Sequence, residues 1–363
     1  MCGIVGFVGK QGNKEQILDD MMKVIVHRGP DSAGKYVNDQ VALGFRRLSI
    51  IDLENGSQPM FNEDGEVGIV FNGEIYNSPE LRERFQAKGH VFKNSSDTET
   101  LVHGYEEYGE KLVHELRGMF GFAIWDNKKK RLFMARDFFG IKPVYYAMIR
   151  GNLVFGSEIK SILEFPGFKK EVNNEALEEY LSFQYSNLPE TFFKGVYRLL
   201  PGHYLTYQNG ELNVTQYFDP TLEPVSKDSQ EELVKKLTDV LEDSVDKHML
   251  ADVEVGAFLS SGVDSSYIAA KYSGKKTFTV GFFDKNNQYS ETQYAEECAK
   301  FLGLENYSHQ ITEEEYWGEM PKIMYHMDEP LADPAAIALY FVAREAAKQV
   351  KVVTSGEGAD EFF

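Results

Sequence analysis

At 363 residues the chain exceeds one ordinary domain, and its 42% hydrophobic and 26% charged content suits a globular protein with more than one core. With 57 acidic side chains against 38 basic ones its formal charge is −19, which argues against a nucleic-acid surface. Two cysteines, Cys2 and Cys298, and eight histidines without a paired motif give neither a disulfide framework nor metal-ligand spacing, and no apolar run approaches the roughly 20 residues of a membrane span. The chain reads as a soluble, cytoplasmic one.

Taken in order, residues 3–9 form an apolar strand, and Ile17, Met21, Val24 and Ile25 mark one face of a helix. A loop, His27-Arg28-Gly29-Pro30-Asp31, follows. Strands are predicted over 41–48 and 66–71. Ser78-Pro79 then reads as an N-cap with proline in the first turn, closed by Gly89, and a second helix starts near Asp97. Strand pairs follow at 120–125 with 131–135 and at 144–149 with 153–156. Residues 203–207 and 212–217 flank Asn209-Gly210, a strong hairpin signal. Hairpins with a few helices predict an α+β domain with antiparallel sheets over 2–218. Residues 219–227 read as a linker.

The rhythm then changes. Ser229 with Glu232 forms a capping box ahead of an amphipathic helix. Strands at 253–259, 277–282, 307–311 and 351–354 alternate with helices at 265–272, 292–301 and onward to about 349. That alternation predicts a parallel, doubly wound sheet over 228–363, with ligands at the carboxyl ends of its strands.

The chemistry begins at Met1-Cys2-Gly3-Ile4. Once the initiator methionine is trimmed, Cys2 carries a thiol and a free α-amine, with ordinary pKa values of about 8.5 and about 7.7–8.0. Such a residue serves as nucleophile and, through its amine, as base; the alternative is a small buried residue opening a strand. In Asn72-Gly73-Glu74 an asparagine amide beside a glycine N–H offers two donors to one oxyanion, or simply a turn. Arg46-Arg47-Leu48-Ser49-Ile50 offers a guanidinium clamp for a carboxylate, or surface arginines. Asp97, in Ser95-Ser96-Asp97-Thr98-Glu99, presents an acid to an ammonium group, caps a helix, or does both. Together these roles suit a zwitterion with a side-chain amide: Arg47 for its carboxylate, Asp97 and Glu74 for its ammonium, Asn72 and Gly73 for the amide oxygen.

These ordered motifs, with His27–Asp31 among them, resemble the class II glutamine amidotransferase domain. The resemblance implies an N-terminal-nucleophile hydrolase sandwich (αββα), and attack by Cys2 on the glutamine amide to release ammonia through a glutamyl thioester. It extends to Arg47, Leu48, Ile50, Asn72, Gly73, Glu74 and Asp97 as the glutamine site, with Asn72 and Gly73 also assisting catalysis.

In the second half, Leu259-Ser260-Ser261-Gly262-Val263-Asp264-Ser265-Ser266 places hydroxyls and backbone N–H groups at a strand–helix junction, an anion site or merely a good cap. Ser355-Gly356-Glu357-Gly358-Ala359-Asp360-Glu361 also follows a strand. Its carboxylates repel a polyphosphate unless a cation intervenes, so a nucleotide here implies Mg²⁺; otherwise it is a solvated acidic loop. With Asp328-Glu329-Pro330-Leu331-Ala332-Asp333-Pro334 between them, these stretches resemble the synthetase domain of glutamine-hydrolysing asparagine synthetases. The resemblance implies ATP and Mg²⁺, with adenylation of aspartate and displacement of AMP by ammonia. It puts Leu259, Val280, Ser355 and Gly356 near the adenosine, Ser260, Gly262, Ser265 and Ser266 on the phosphates, Asp264 and Asp360 on the metal, and Glu357 in the catalytic steps. A homodimer is compatible with it.

Two departures stand out. Ser261 occupies a position where the family has glycine, so a positive φ there implies local strain. The chain also stops inside the acidic motif, at Phe362-Phe363 with two exposed aromatics, and reads as part of a longer protein. Two rivals remain: a ligase of the same plan amidating another carboxylate, and a glutamine-binding module silent as a ligase.

Overall fold

The computed structural model describes residues 1–221, 226–283 and 291–362, the side chain of Phe362 excepted. Part of the expected linker, 222–225, and the expected exposed aromatics Phe362 and Phe363 lie outside what is described. Two compact units divide the chain, Met1–Leu222 and Glu223–Phe363.

The first unit holds strands β1 (Gly3–Val8), β2 (Ser32–Val37), β3 (Val41–Arg47), β4 (Met60–Phe61), β5 (Val67–Ile75) and β6 (Gly118–Asp126). It continues with β7 (Arg131–Arg136), β8 (Tyr145–Ile149), β9 (Asn152–Gly156), β10 (Val196–Arg198), β11 (His203–Gln208) and β12 (Glu211–Gln216). Its helices are α1 (Lys14–Lys23), α2 (Ser78–Ala87), α3 (Asp97–Tyr108), α4 (Ile159–Leu163) and α5 (Asn174–Phe183). One sheet runs β10-β8-β9-β1-β3-β2 and the other β12-β11-β7-β6-β5-β4, with neighbouring strands antiparallel.

Three layers of core explain the stacking. Ile4, Phe45, Val70, Trp125 and Phe155 fill the space between the sheets. Phe71, Ile75, Phe120 and Phe122 face outward onto Leu81, Phe85 and Leu101 of α2 and α3. Val5, Phe7 and Ala42 pack on Leu18 and Met21 of α1 and Ile159 and Ile162 of α4. The result is the expected helix–sheet–sheet–helix sandwich. Every residue of β1 is buried, which is why that strand reads as an unbroken apolar run rather than an alternating one.

Some expectations shift. The strand expected to stop at Phe71 runs on to Ile75, because Asn72 to Ile75 pair with Gly121 to Gly118. Asn72-Gly73-Glu74 is therefore strand, not turn. Gly73 permits that pairing: a Cβ there would sit 2.1 Å from the Met119 carbonyl oxygen. The cap of α3 is Ser96, which accepts from Thr98 N–H at 3.2 Å, so Asp97 is the first helical residue and its carboxylate is spared for other work. Ser78 likewise lies inside α2, because Asn77 precedes it. Helix α1 ends at Lys23, short of Val24 and Ile25.

The second unit carries β13 (Val255–Phe258), β14 (Lys276–Phe282), β15 (Glu305–Ile311) and β16 (Val352–Thr354) in a parallel sheet ordered β15-β14-β13-β16. Helices α6 (Gln230–His248), α7 (Val263–Lys271), α8 (Thr292–Leu302), α9 (Glu313–Met327), α10 (Ala335–Ala346) and α11 (Ala359–Phe362) connect or flank it. Both bonds of the Ser229–Glu232 capping box form, as do those of an unanticipated one, Thr312–Glu315. The strand order reverses between β13 and β16, and the carboxyl ends there open the crevice in which such folds bind ligands.

Candidate functional site

Cys2 leads into β1 at the edge of the inter-sheet core. Its Sγ donates to the Leu48 carbonyl at 3.5 Å and accepts from the Leu48 N–H at 3.4 Å. Arg28 Nε donates to the Cys2 carbonyl at 2.9 Å, and its other arm reaches Glu158 Oε1 at 3.0 Å. Glu158 also takes His27 Nε2 at 2.9 Å and Lys160 Nζ at 2.5 Å. Burial pushes the Cys2 thiol up, partly offset by the Leu48 N–H, the chain's amine and Arg28. The amine at the head of the chain, on Met1, is drawn down to about 6, chiefly by burial, with Arg28 and Lys142 adding. Burial at this end of the chain thus favours the neutral form of an amine.

Strand β5 supplies the donors. Phe120 gives its N–H to Asp137 Oδ2 and takes Asp137 N–H on its carbonyl. Phe120 therefore faces away from its partner Gly73 in the antiparallel ladder, and the backbone groups of Phe71, Gly73 and Ile75 point to the opposite edge of β5. Gln58 occupies those of Phe71. Asp97 Oδ2 accepts Ile75 N–H at 2.9 Å. Gly73 N–H lies between the two.

Asn72 and Glu74 project from the face of β5 that carries Val70, the inter-sheet side on which Cys2 packs. Asn72 is 2% exposed, and its Nδ2 is buried with no hydrogen-bond partner among the described residues. Glu74 Oε2 is buried in the same condition. Burial, then the charge of Asp97, raises the Glu74 carboxyl well above the usual range. Burial also lifts Asp97 to about 6, against hydrogen bonds from Ile75 and Thr98. Lys142, buried beside them, is brought down to about 8 by burial, with Glu74 opposing. Buried donors and acceptors without partners are costly, and their presence together marks a site shaped for a polar ligand.

Arg47 stands differently from the open clamp expected. Its NH1 donates to the Leu53 carbonyl at 3.1 Å and its NH2 to those of Ile51 and Asp52 at 3.3 and 2.5 Å, so it braces the loop that presents Leu48 and Ile50. The fold brings Cys2, Leu48, Asn72, Gly73, Glu74 and Asp97 together and puts Arg47 behind the loop. Sequence reasoning passed over Lys142, Gln58 and the Arg28–Glu158 pair. Lys142, between Ile141 and Pro143, has the local signature of a surface lysine, and only the tertiary fold buries it.

In the second unit a cavity of about 570 Å³ opens at the carboxyl ends of β13, β14 and β16. Leu259, Ser260, Gly262, Asp264, Ser265, Val280, Ser355, Gly356, Glu357 and Asp360 all line it. Ser266 does not: its hydroxyl accepts from Cys298 Sγ at 3.6 Å, toward α8. The stretch 328–334 contributes no wall residue, although Ala335 does. Ser260 and Ser265 hydroxyls lie 3.0 Å apart, and Ser260 Oγ accepts Gly262 N–H at 3.3 Å, which folds the loop onto the start of α7. Ser261 has φ 71°, the left-handed conformation anticipated for it. Gly356 packs on that helix start: a Cβ there would lie 2.9 Å from Asp264 Cβ and 3.0 Å from Ser265 N. The volume falls in the range of nucleotide-sized pockets. Asp264 and Asp360, hard oxygen donors that both line this cavity, fit a magnesium–phosphate group.

An N-terminal-nucleophile sandwich followed by a parallel nucleotide-type sheet defines an amidotransferase coupled to a second catalytic domain. Residues 1–218 match the glutamine amidotransferase domain family and residues 236–363 the asparagine synthase family. The chain belongs to the glutamine-hydrolysing asparagine synthetase family. It is 47% identical to glutamine-hydrolysing asparagine synthetase 1 of Bacillus subtilis (strain 168), over all of this chain and 58% of that protein. It is 33% identical to a putative glutamine-hydrolysing asparagine synthetase 2 of Methanocaldococcus jannaschii, over all of this chain and 75% of the relative. Against the B. subtilis glutamine phosphoribosylpyrophosphate amidotransferase complexed with ADP and GMP, the TM-score is 0.45 at 16% identity, over 85% of this chain and 65% of that one. The chain spans 58 to 60% of the length of the first relatives it matches. Among the described residues, no helix is long and apolar enough to cross a membrane.

Proposed function

We propose that the protein makes asparagine from aspartate in the cytoplasm, with ATP as activator and glutamine as nitrogen source, the first unit being the glutaminase. Removal of Met1 transfers the terminal amine to Cys2. That amine takes the thiol proton, and the thiolate attacks the glutamine side-chain amide carbon. Asn72 Nδ2 and Gly73 N–H stabilise the oxyanion. Its collapse returns the proton to the leaving nitrogen, expels ammonia and leaves a glutamyl thioester, which water hydrolyses to glutamate and the free thiol. Glu74 and Asp97 receive the substrate's ammonium group, Leu48 and Ile50 flank its chain, and Arg47 attracts its carboxylate while bracing the loop. The observation that carries this reading is the buried, unpartnered amide of Asn72 on the strand face shared with Cys2.

In the second unit Leu259, Val280, Ser355 and Gly356 accept the adenosine part of ATP, and Ser260, Gly262 and Ser265 the phosphates. The aspartate side-chain carboxylate attacks the α-phosphorus, pyrophosphate leaves, and ammonia then displaces AMP from the β-aspartyl adenylate. Glu357, on the cavity wall, serves those two steps. Asp264 and Asp360 would hold Mg²⁺, which neutralises phosphate charge when bound.

The test is the mature N-terminus by mass spectrometry together with glutamine hydrolysis by the wild type and Cys2→Ala. Loss of Met1, and hydrolysis abolished in Cys2→Ala, are expected. A chain that keeps its methionine and still releases ammonia overturns the nucleophile. Aspartate-dependent ATP–pyrophosphate exchange in the full-length protein tests the ligase half, and exchange driven by another acid reassigns the substrate.

A further inference from the structure

Far from either cavity in sequence role, four side chains that share no motif converge on the outer surface of the first unit. Glu63 lies on the turn between β4 and β5, His90 on the loop after α2, and His103 and Glu106 on one face of α3. Their ligating atoms all lie within 4.8 Å of one another. His90 Nδ1 is 3.5 Å from Glu63 Oε1 and 3.7 Å from Glu106 Oε2. His103 Nδ1 is 3.5 Å from Glu63 Oε2 and 3.1 Å from Glu106 Oε2. Four ligands about 2.0–2.1 Å from a tetrahedral zinc are separated by roughly 3.3 Å, close to these His–Glu spacings, with Glu63 meeting the two rings through its two different oxygens.

The surroundings point to a ligand rather than to plain ion pairing. Each ring has a second carboxylate behind it: His90 Nε2 meets Glu107 Oε1 at 3.1 Å, and His103 Nε2 faces Glu99 Oε1 at 3.9 Å. That His103 nitrogen is buried without a hydrogen-bond partner, and the residue is 1% exposed. A carboxylate hydrogen-bonded behind a metal-binding imidazole fixes the tautomer that turns the other nitrogen to the metal, as Glu107 can for His90. The first-rank carboxylates are themselves held, Glu106 by Asn62 Nδ2 at 2.6 Å and Glu63 by Val91 N–H at 2.9 Å. The ring centroids lie 4.6 Å apart, which keeps both imidazoles beside the same two carboxylates. One dication at the centre satisfies two neutral imidazoles and two carboxylates together.

We propose that Glu63, His90, His103 and Glu106 form a structural site for a divalent d-block cation of the zinc type. Mixed imidazole and carboxylate ligands suit zinc better than magnesium. The histidines, scattered in the sequence and without ligand spacing there, become neighbours only through the fold. The ion ties the β4–β5 turn and the loop after α2 to α3. Asp97 opens that helix about 9 Å of axial rise before His103, at roughly 1.5 Å per residue, so the ion steadies the helix that carries it.

The test uses the full chain in a Cys2→Ala background, so that the reactive thiol takes no metal, stripped by chelation and titrated with Zn²⁺. One Zn²⁺ per chain and a raised thermal midpoint are expected. His90→Asn with Glu106→Gln should weaken binding at least about 100-fold, and Glu107→Gln, which leaves all four ligands intact, by about tenfold. Circular dichroism establishes that each variant is folded, and the exposed Glu107 position keeps the test decisive if the double variant is not. No saturable binding by the parent, or binding unchanged in folded variants, overturns the site.

Discussion

Gln58 holds both backbone groups of Phe71, its Nε2 donating to the Phe71 carbonyl at 3.1 Å and its Oε1 accepting the Phe71 N–H at 2.6 Å. A side chain thus completes the ladder along an edge of β5 where no strand is paired, one step before Gly73. The same Nε2 donates to Thr98 Oγ1 at 3.2 Å, tying that edge to the first turn of α3. Gln58→Ala strands a buried N–H and a buried carbonyl. At about 1–3 kcal/mol for each of the two unsatisfied groups it should destabilise the first unit by about 2–6 kcal/mol, read in urea unfolding. A loss of less than about 1 kcal/mol would mean that water or a shifted side chain takes over the edge.

Asn72 is the clearer test of chemistry. If its free Nδ2 meets the oxyanion, Asn72→Ala lowers kcat for glutamine hydrolysis by about 10²–10³, or about 2.7–4 kcal/mol, with KM little changed. A raised KM at constant kcat would instead assign the amide to ground-state binding. Stability should move little, since that nitrogen has no hydrogen-bond partner among the described residues.

The contrast between these two residues shows what the sequence makes legible. Asn72 was readable because chemistry demands an amide beside a glycine near a nucleophile. Gln58, with the same side-chain chemistry, sits in Gly56-Ser57-Gln58-Pro59, where nothing local tells that it will cross to another segment. The buried strands and the cap at Ser229 follow from local pattern, and so does the parallel order of the second unit. That Arg47 also braces its own loop was not legible, because its carbonyl partners lie in a loop with no regular period. Glu158 and Lys160 were invisible for the opposite reason: each reads as an ordinary surface charge until the fold brings them to Arg28 and His27.

Ser261 offers a prediction in the second unit. At φ 71° a serine is held where its Cβ crowds the backbone, at a cost of order 1–3 kcal/mol. Glycine relieves that cost but loses more entropy on folding, by roughly 0.5–1 kcal/mol. Ser261→Gly should therefore stabilise the unit by about 1 kcal/mol in chemical denaturation. Ser261→Val, β-branched and so more crowded at a positive φ, should destabilise it. Equal stability in all three would mean the loop relaxes out of this conformation.

The charge network beneath Cys2 gives a pH signature. Burial alone would raise the Glu158 carboxyl, but His27, Arg28 and Lys160 outweigh it and hold it at about 2, against an ordinary value of 4.5. Above pH 4.5 the group is ionised in both folded and unfolded chains and contributes in full. As pH falls from 4.5 toward 2 the unfolded chain takes up a proton that the folded one refuses, so stability falls by about 3 kcal/mol across that window. Glu158→Gln abolishes this dependence and leaves Arg28 and Lys160 buried without their counter-charge, a loss of about 3–5 kcal/mol at pH 7. Urea unfolding of both proteins at pH 7, 5 and 3.5 should show the gap between them narrowing as the pH drops. A gap that stays constant would mean that Glu158 is no more acidic in the folded chain than in the unfolded one, and that Arg28 is held against Cys2 by packing rather than by charge.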